Sequence, residues 1–162
     1  MIGTVPYVSL EHTLLAIKQQ VKDSLRYAEN NCTGFDTPAQ LFDWMRSWRT
    51  YRRDPKGREL VQSLMTLLDN NKHGIVGAGD CDCFTVAGLA CMLANGFDDV
   101  YVVLAGRTDS APSHIYAAVK WKGKIRPFDL TNNYFDVERK TYGYKQVLPF
   151  SMEEGYNFNL YQ

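Results

Sequence analysis

The sequence lacks any long apolar run and any excess of charge of one sign. Lys+Arg and Asp+Glu each number 18, so the formal net charge is zero. A dominant electrostatic attraction to nucleic acid or to an anionic membrane surface is therefore not expected. No stretch is long and apolar enough to span a bilayer, and the N-terminus does not combine a basic region with an apolar run as a signal peptide does. These absences predict a soluble, cytoplasmic protein with no nucleic-acid partner and no membrane partner.

Cysteine and histidine are also scarce, with four and three residues respectively. Cys81 and Cys83 lie too close together for a framework disulfide, and Cys91 falls inside an apolar helix, so the pattern predicts free thiols in a reducing compartment. The Cys-x-Cys spacing has no second pair to complete a tetrahedral metal site. His12 in a first helical turn and His73 after another helix suit surface or capping roles. We expect no metal and no cofactor.

One local exception to the charge balance lies at residues 46–53, which read RSWRTYRR. Arginines interleaved with aromatic residues could grip phosphates, but a solvated helix face explains them equally well and is the commoner case. We therefore interpret the stretch as a solvated face.

The length and composition fit a single globular domain. The chain has 162 residues, of which 45% are apolar and 22% charged, and this is long enough to bury a core. No repeat, low-complexity segment or linker divides the sequence. We expect one domain over residues 1–162.

Apolar periodicity and capping residues predict four helices. Ser9 is the predicted cap of an amphipathic first helix. Thr37 is followed by proline at the first helical position and glutamine at the third, which is a capping pattern for the second helix. Residues 59–62 are interpreted as a short connecting piece before the third. The fourth is apolar on nearly every side and should be central. The predicted helices cover residues 9–30, 38–48, 64–68 and 82–95.

After residue 96 the pattern changes from helical to β. A β-rich run precedes a segment of alternating apolar and polar residues, and Lys122 and Gly123 form a hairpin turn into the next run. A last run carries proline and suits a sheet edge. The predicted strands cover residues 100–105, 113–121, 124–129 and 145–150. The succession predicts an α+β fold, with the central helix between an antiparallel sheet and the earlier helices.

The stretch at residues 77–85, GAGDCDCFT, is the first place to look for chemistry. Cys81 stands where the apolar helix begins, and the positive end of a helix dipole favours thiolate over thiol. The two glycines before it are interpreted as room for a substrate backbone. Cys81 is therefore the candidate nucleophile.

A cysteine nucleophile needs a general base, and the base needs an orienting group. His114 begins a predicted strand just after a proline-containing loop, at the rim of the sheet. Asp129 ends the neighbouring strand across the hairpin and could accept the other imidazole N–H. Cys81, His114 and Asp129 form a candidate triad.

Three motifs resemble those of the transglutaminase-like superfamily of cysteine enzymes. They are GDCDCF at residues 79–84, SHIY at 113–116 and PFDLT at 127–131. Their order, spacing and predicted elements agree with that superfamily, and residues 51–63 are similar to the lead-in of short bacterial and phage members. The resemblance covers residues 41–131, so the helix at 9–30 and the tail at 132–162 are additions.

The resemblance implies a papain/transglutaminase-like core in which Cys81 attacks an amide carbonyl of a peptide or protein substrate. His114, oriented by Asp129, protonates the leaving amine, and water or a second amine resolves the thioester. Hydrolysis of a peptide, isopeptide or amide bond is the first expectation, and transamidation stays open. The oxyanion would be held by the backbone N–H of Cys81 and a second donor, for which Gln62 or Trp44 is the candidate.

Cys83 is the main departure from the resemblance, because many short members carry an acidic residue there. Two residues along a helix from Cys81, its side chain would point elsewhere. A second class of function stays open: a non-catalytic binding or assembly module with the same fold, such as a phage structural or accessory protein. The first helix and the aromatic tail at residues 132–162 favour it as surfaces for a protein partner, and the protein would then be virion-associated.

Overall fold

The computed structural model describes residues 2–6, 10–53, 58–69, 77–107, 113–138, 142–153 and 158. Its elements, in chain order, are β1 (Ile2–Pro6), α1 (Leu10–Asn31), α2 (Pro38–Trp48), β2 (Thr50–Tyr51), β3 (Arg58–Gln62), α3 (Leu64–Asp69), β4 (Ala78–Gly79), α4 (Cys81–Ala94), β5 (Val100–Gly106), β6 (His114–Trp121), β7 (Lys124–Phe128) and β8 (Tyr144–Pro149). Helices and an antiparallel sheet confirm the α+β class. The predicted cap Ser9 and the predicted capping residue His73 lie outside the described residues.

The main sheet follows the predicted strands closely. Its order is β7-β6-β5-β8, and each pairing is antiparallel. Lys122 and Gly123 join β6 to β7 with φ angles of 52° and 80°. Two successive left-handed residues make the type I′ turn, whose twist matches that of a hairpin. β8 lies at an edge of the sheet, where Pro149 is tolerated.

Helix α4 forms the centre of the molecule. Residues 82–92 are all buried, and the helix packs against both α1 and β6. At Gly88 the helix approaches the sheet so closely that an added Cβ would lie 3.2 Å from Cδ1 of Phe128 and 3.5 Å from Cβ of Ala117. The predicted central helix, packed on the sheet and on the first helix, is confirmed.

Two small sheets connect distant parts of the chain. β1 pairs antiparallel with β3, and β2 pairs parallel with β4. Residues 59–62, interpreted from the sequence as a connecting piece, belong to strand β3, so that prediction is wrong. The partner of so short a strand lies far away in the sequence, and the segment itself carries no clear β period.

The predicted cap of α2 is present. The side chain of Thr37 accepts a hydrogen bond from the backbone N–H of Gln40 at 3.2 Å. The side-chain oxygen of Gln40 in turn accepts from the backbone N–H of Asp36 at 3.0 Å. The first bond satisfies a backbone donor that the first helical turn leaves without an intrahelical partner, and the second fixes the residue before the cap.

Two phenylalanines of the aromatic tail, Phe150 and Phe158, pack on the domain itself. The rings of Phe150 and Phe158 lie 6.0 Å apart, and both contact the main hydrophobic core. Within the described ranges, no helix is long and apolar enough to cross a membrane.

Candidate active site

Cys81 is the first residue of α4, and its position is fixed by side chains of the first helical turn. Asp80 is the N-cap, and its carboxylate accepts from the backbone N–H of Asp82 at 3.2 Å. The hydroxyl of Thr85 donates to the carbonyl of Cys81 at 2.7 Å and contacts the carbonyl of Ile115 at 3.4 Å. The start of α4 is thereby tied to the start of β6.

Cys81 is half-buried, and its surroundings oppose the thiolate. Burial raises the pKa of Cys81 well above its ordinary value, and the charges of Asp82 and Asp80 raise it further. The backbone of Ile115 opposes this shift without cancelling it. Desolvation and the two adjacent carboxylates therefore act against the thiolate that the helix N-terminus was expected to favour.

The main sheet brings His114 and Asp129 together. His114 begins β6, and the pairing of Ala117 with Phe128 puts Asp129, the residue after β7, opposite Tyr116, two residues along β6 from His114. Nε2 of His114 lies 2.7 Å from Oδ2 of Asp129, and the side chains are 14% and 3% exposed. The pair is thus a short, largely desolvated contact.

The second oxygen of Asp129 determines which imidazole nitrogen carries the proton. Oδ1 of Asp129 accepts from the backbone N–H of Thr131 at 3.0 Å and from its hydroxyl at 2.7 Å. An ionised carboxylate only accepts, so Nε2 of His114 must be the donor. In the neutral imidazole, Nδ1 is then left unprotonated and able to take a proton.

Cys81 lies beside the strand that begins with His114. The backbone of Ile115, the residue next to His114, is near enough to lower the pKa of its thiol, and the thiol donates to Oδ1 of Asp82 at 3.8 Å. Among the residues that the structure describes, no hydrogen bond joins the sulfur to the imidazole. The structure therefore pairs His114 with Asp129 and brings Cys81 to the neighbouring residue of β6.

Gln62 and Trp44, the predicted oxyanion or substrate-binding residues, have other contacts. Gln62 is fully buried, and its amide nitrogen donates to the carbonyl of Ala78 at 3.1 Å and to the sulfur of Cys83 at 3.4 Å. Trp44 packs in an aromatic cluster of α2, 5.4 Å from the ring of Phe35. These contacts tie Gln62 to Cys83 rather than to Cys81.

Cys83 is a buried packing residue. Its side chain has no exposed surface, and burial, with the charge of Asp80, raises the pKa of Cys83 to about 12. Gly79 lies against it: a Cβ added to Gly79 would be 2.7 Å from Cβ of Cys83 and 3.2 Å from Cδ1 of Leu67. At Gly77, with φ of 75°, an added Cβ would collide with Trp48. These glycines permit close internal packing, which corrects their interpretation as room for a substrate.

Arg49 is a site neighbour that the sequence interpretation missed. Its guanidinium donates to the carbonyl of Asn132 and to the side chain of Asn133, both at 3.0 Å. Burial lowers the pKa of Arg49, Arg46 adds to that effect, and the charge of Asp129 opposes it. The solvated-face interpretation of residues 46–53 fits exposed Arg46 but not half-buried Arg49. The sequence signal for a partly buried side chain was the position of this arginine, directly after a helix whose last turn contains aromatic residues.

No protein-family model and no curated protein matches the chain. Among solved structures, the chain is similar to the crystal structure of a protein described as a candidate cysteine protease from Cytophaga hutchinsonii. The identity is 12%, the TM-score is 0.45, and the alignment covers 99% of this chain and 66% of that protein. The chain thus spans just under two thirds of that protein's length. A TM-score of this size is too low to support conclusions about activity, which must come from the contacts of this chain.

Proposed function

We propose that this chain is a transglutaminase-like cysteine enzyme with a papain-like core, which catalyses acyl transfer through Cys81, His114 and Asp129. Hydrolysis of a peptide, isopeptide or amide bond is the preferred reaction. The observation that carries the proposal is the 2.7 Å bond between His114 and Asp129, which leaves Nδ1 of the imidazole able to accept a proton. Cys81 begins α4, the helix that packs on the strand of His114.

The raised pKa of Cys81 determines how the first step proceeds. The resting enzyme holds a neutral thiol, so the imidazole acts as general base during attack and not beforehand. The sulfur bonds to the carbonyl carbon as Nδ1 of His114 takes the thiol proton, and the carboxylate of Asp129 stabilises the imidazolium. Collapse of the tetrahedral intermediate breaks the C–N bond, and His114 returns the proton to the leaving amine.

The second half-reaction regenerates the thiol. His114 takes a proton from water as the water oxygen attacks the thioester carbon, and Cys81 leaves with that proton restored to sulfur. An amine in place of water would give transamidation. Water is preferred here because the short bacterial members that the chain resembles are more often hydrolases.

The oxyanion of both intermediates needs hydrogen-bond donors. The N–H of Cys81 belongs to the first turn of α4, whose amides lack intrahelical acceptors and lie at the positive end of the helix dipole. Gln62 and Trp44 stay proposals for the second donor. Use of Gln62 would require its amide to leave the carbonyl of Ala78 and the sulfur of Cys83.

The proposal is tested by the rate at which iodoacetamide alkylates Cys81 near neutral pH, with the adduct located by peptide mass spectrometry. We expect His114→Ala to lower that rate about a hundredfold, the size of a general-base contribution. Cys83→Ser is the matched control: it removes the neighbouring buried thiol and should leave the rate at Cys81 unchanged. Equal rates in the wild type and in His114→Ala would contradict the proposal.

A second candidate function is the non-catalytic binding or assembly module with the same fold. The observation that favours it is the raised pKa of Cys81, since an acidic, partly buried setting suppresses the thiolate that a nucleophile needs. In that case His114→Ala leaves alkylation unchanged, and the adducts form slowly without preference for Cys81.

A further inference from the structure

Two tyrosine rings lie against the imidazole of the proposed base. The ring of Tyr142 lies 6.1 Å from the imidazole of His114, with an angle of 25° between their planes. The ring of Tyr116 lies 5.5 Å from the imidazole at 32°, and the two tyrosine rings are 6.4 Å apart at 28°. These separations fall in the range in which aromatic pairs attract each other beyond simple burial. The face of the imidazole is therefore covered by phenol rings.

The backbone holds Tyr142 in this position. Gly106, the last residue of β5, pairs with Tyr144, the first of β8, so Tyr142 passes beside the end of β5. Gly143, between Tyr142 and Tyr144, lies directly against the backbone carbonyl of Arg107, and a Cβ added to Gly143 would collide with the carbonyl oxygen. Only glycine permits this approach, and the approach sets the direction from which Tyr142 reaches His114.

Tyr116 is held in place independently of Tyr142, by a hydrogen bond at its hydroxyl. Its hydroxyl donates to Oε1 of Glu138 at 3.3 Å, and the same oxygen accepts from Nζ of Lys145 at 2.5 Å. Tyr116 itself is 2% exposed. A buried tyrosine fixed at its hydroxyl provides a rigid surface against which Tyr142 and the imidazole stack.

The hydrogen bond to Asp129 does not by itself orient Nδ1. The imidazole is attached to its backbone through Cγ and bound at Nε2, so its plane can still rock about the line between these two atoms. Nδ1 lies off that line, and its direction changes with the ring plane. A flat contact on the ring face prevents this motion.

We propose that Tyr142 is a positioning residue, which fixes the plane of the His114 imidazole so that Nδ1 faces the thiol of Cys81. The role in acyl transfer rests on the proposed function. The role in holding the ring does not, because it follows from the stacking alone. Covering the ring face also keeps water from competing for the bond between His114 and Asp129.

The ring orientation is tested by nuclear magnetic resonance of the imidazole nitrogens in the full chain. His114→Ala identifies the His114 signals among the three histidines. We expect one tautomer in the wild type, with the proton on Nε2. In Tyr142→Ala we expect the same tautomer, because Asp129 still accepts from Nε2, but exchange-broadened signals as the ring plane moves. In Tyr142→Phe, which keeps the ring, we expect the wild-type pattern. Tyr142→Leu replaces Tyr142→Ala if the latter does not fold.

Alkylation of Cys81 by iodoacetamide gives the second measurement. Tyr142→Ala should lower the rate about threefold to tenfold, the size expected from loss of an aromatic contact, and Tyr142→Phe should restore it. Tyr144→Ala is the matched control, because Tyr144 lies two residues away and its hydroxyl donates to Gln146. It should leave both measurements unchanged.

Two results would overturn the role of Tyr142: unchanged His114 signals in Tyr142→Ala, or equal effects of Tyr142→Ala and Tyr142→Phe. Either can occur while alkylation still depends on His114, which leaves the proposed function standing. Conversely, an alkylation rate that does not depend on His114 would contradict the proposed function. Altered imidazole signals in Tyr142→Ala would still establish the positioning contact in that case.

Discussion

Three carboxylates act on the thiol of Cys81 in the same direction. Asp82 and Asp80 flank Cys81 in the chain, and their charges, with a smaller contribution from Asp129, raise the pKa of the thiol. Asp129 also accepts from the imidazole of His114 at 2.7 Å. In the proposed reaction, the same carboxylate would face the imidazolium that forms when the thiol is deprotonated.

At Asp82 the charge can be removed with little change in size. In a His114→Ala background, where alkylation reports the thiolate fraction alone, Asp82→Asn should raise the rate at Cys81 about threefold or more at a fixed pH below its pKa. The sign follows because removal of a negative charge lowers the pKa of the thiol, and the rate-against-pH curve moves to lower pH. The rate is read by mass spectrometry across a pH series.

Asp98→Asn in the same background controls for loss of a carboxylate, because Asp98 is exposed in the loop between α4 and β5. It should leave the curve where it is. A curve that does not move in Asp82→Asn would mean that the acidic neighbours do not set the state of the thiol.

At Asp129 the same type of substitution should reverse the imidazole tautomer. Thr131 donates twice to one side of the carboxylate, so in Asp129→Asn the amide oxygen stays there and its NH2 faces Nε2 of His114. Nε2 must then accept, and the proton moves to Nδ1. We expect alkylation of Cys81 to fall near the His114→Ala rate, about a hundredfold below wild type.

The control is Asp136→Asn, which removes a carboxylate that pairs with Arg126 at 2.6 Å in the loop after β7. It should lower stability slightly without changing alkylation. Wild-type alkylation in Asp129→Asn would exclude Asp129 as the orienting group.

At the scale of helices and strands, the sequence predicted correctly the features that depend on contacts between residues close together in the chain. Thr37 and Gln40 predicted the start of α2 because the cap is formed within four residues. Lys122 and Gly123 predicted the β6–β7 hairpin because a two-residue loop needs residues that tolerate left-handed backbone. The nearly continuous apolar run of α4 predicted its burial, because no face of it could be left in water.

Thr37→Ala should lower the free energy of unfolding by about 1 kcal/mol, because the hydroxyl that accepts from the N–H of Gln40 is lost. Thr33→Ala is the matched control, since Thr33 is exposed in the loop before α2, and it should change stability by less than about 0.5 kcal/mol. Both are measured by denaturant unfolding. Equal losses in the two variants would show that the cap contributes nothing.

At the scale of the whole molecule, the unpredicted features depend on residues far apart in sequence. The pairing of β1 with β3 turns residues 59–62 into a strand and directs Gln62 to Cys83. The pKa of Cys81 depends on burial by surrounding elements, which a helix-terminus argument does not include. The contact of Tyr142 with His114 depends on the register of β8 against β5. None of these three features produces a recognisable pattern within a short stretch of the sequence.

The proposed triad is likewise a product of the whole fold. Cys81 comes from the start of α4, His114 from the start of β6, and Asp129 from the end of β7. The packing of α4 on β6 and the register between β6 and β7 decide how these ends of the three elements lie relative to one another. The order and spacing of motifs in the sequence predicted these three residues as the site. The main sheet explains how two of them, His114 and Asp129, come into contact.

Acyl transfer itself is tested most directly with p-nitrophenyl acetate, an activated acyl donor whose nitrophenol is released as the acyl group is transferred. We expect acetylation of the wild type at Cys81, located by peptide mapping, and its disappearance with time as water resolves the thioester. Cys81→Ser should not acetylate there, and His114→Ala should acetylate about a hundredfold more slowly. Acetyl groups on lysines alone, or acetylation of Cys81 at the same rate without His114, would contradict acyl transfer through Cys81 and His114.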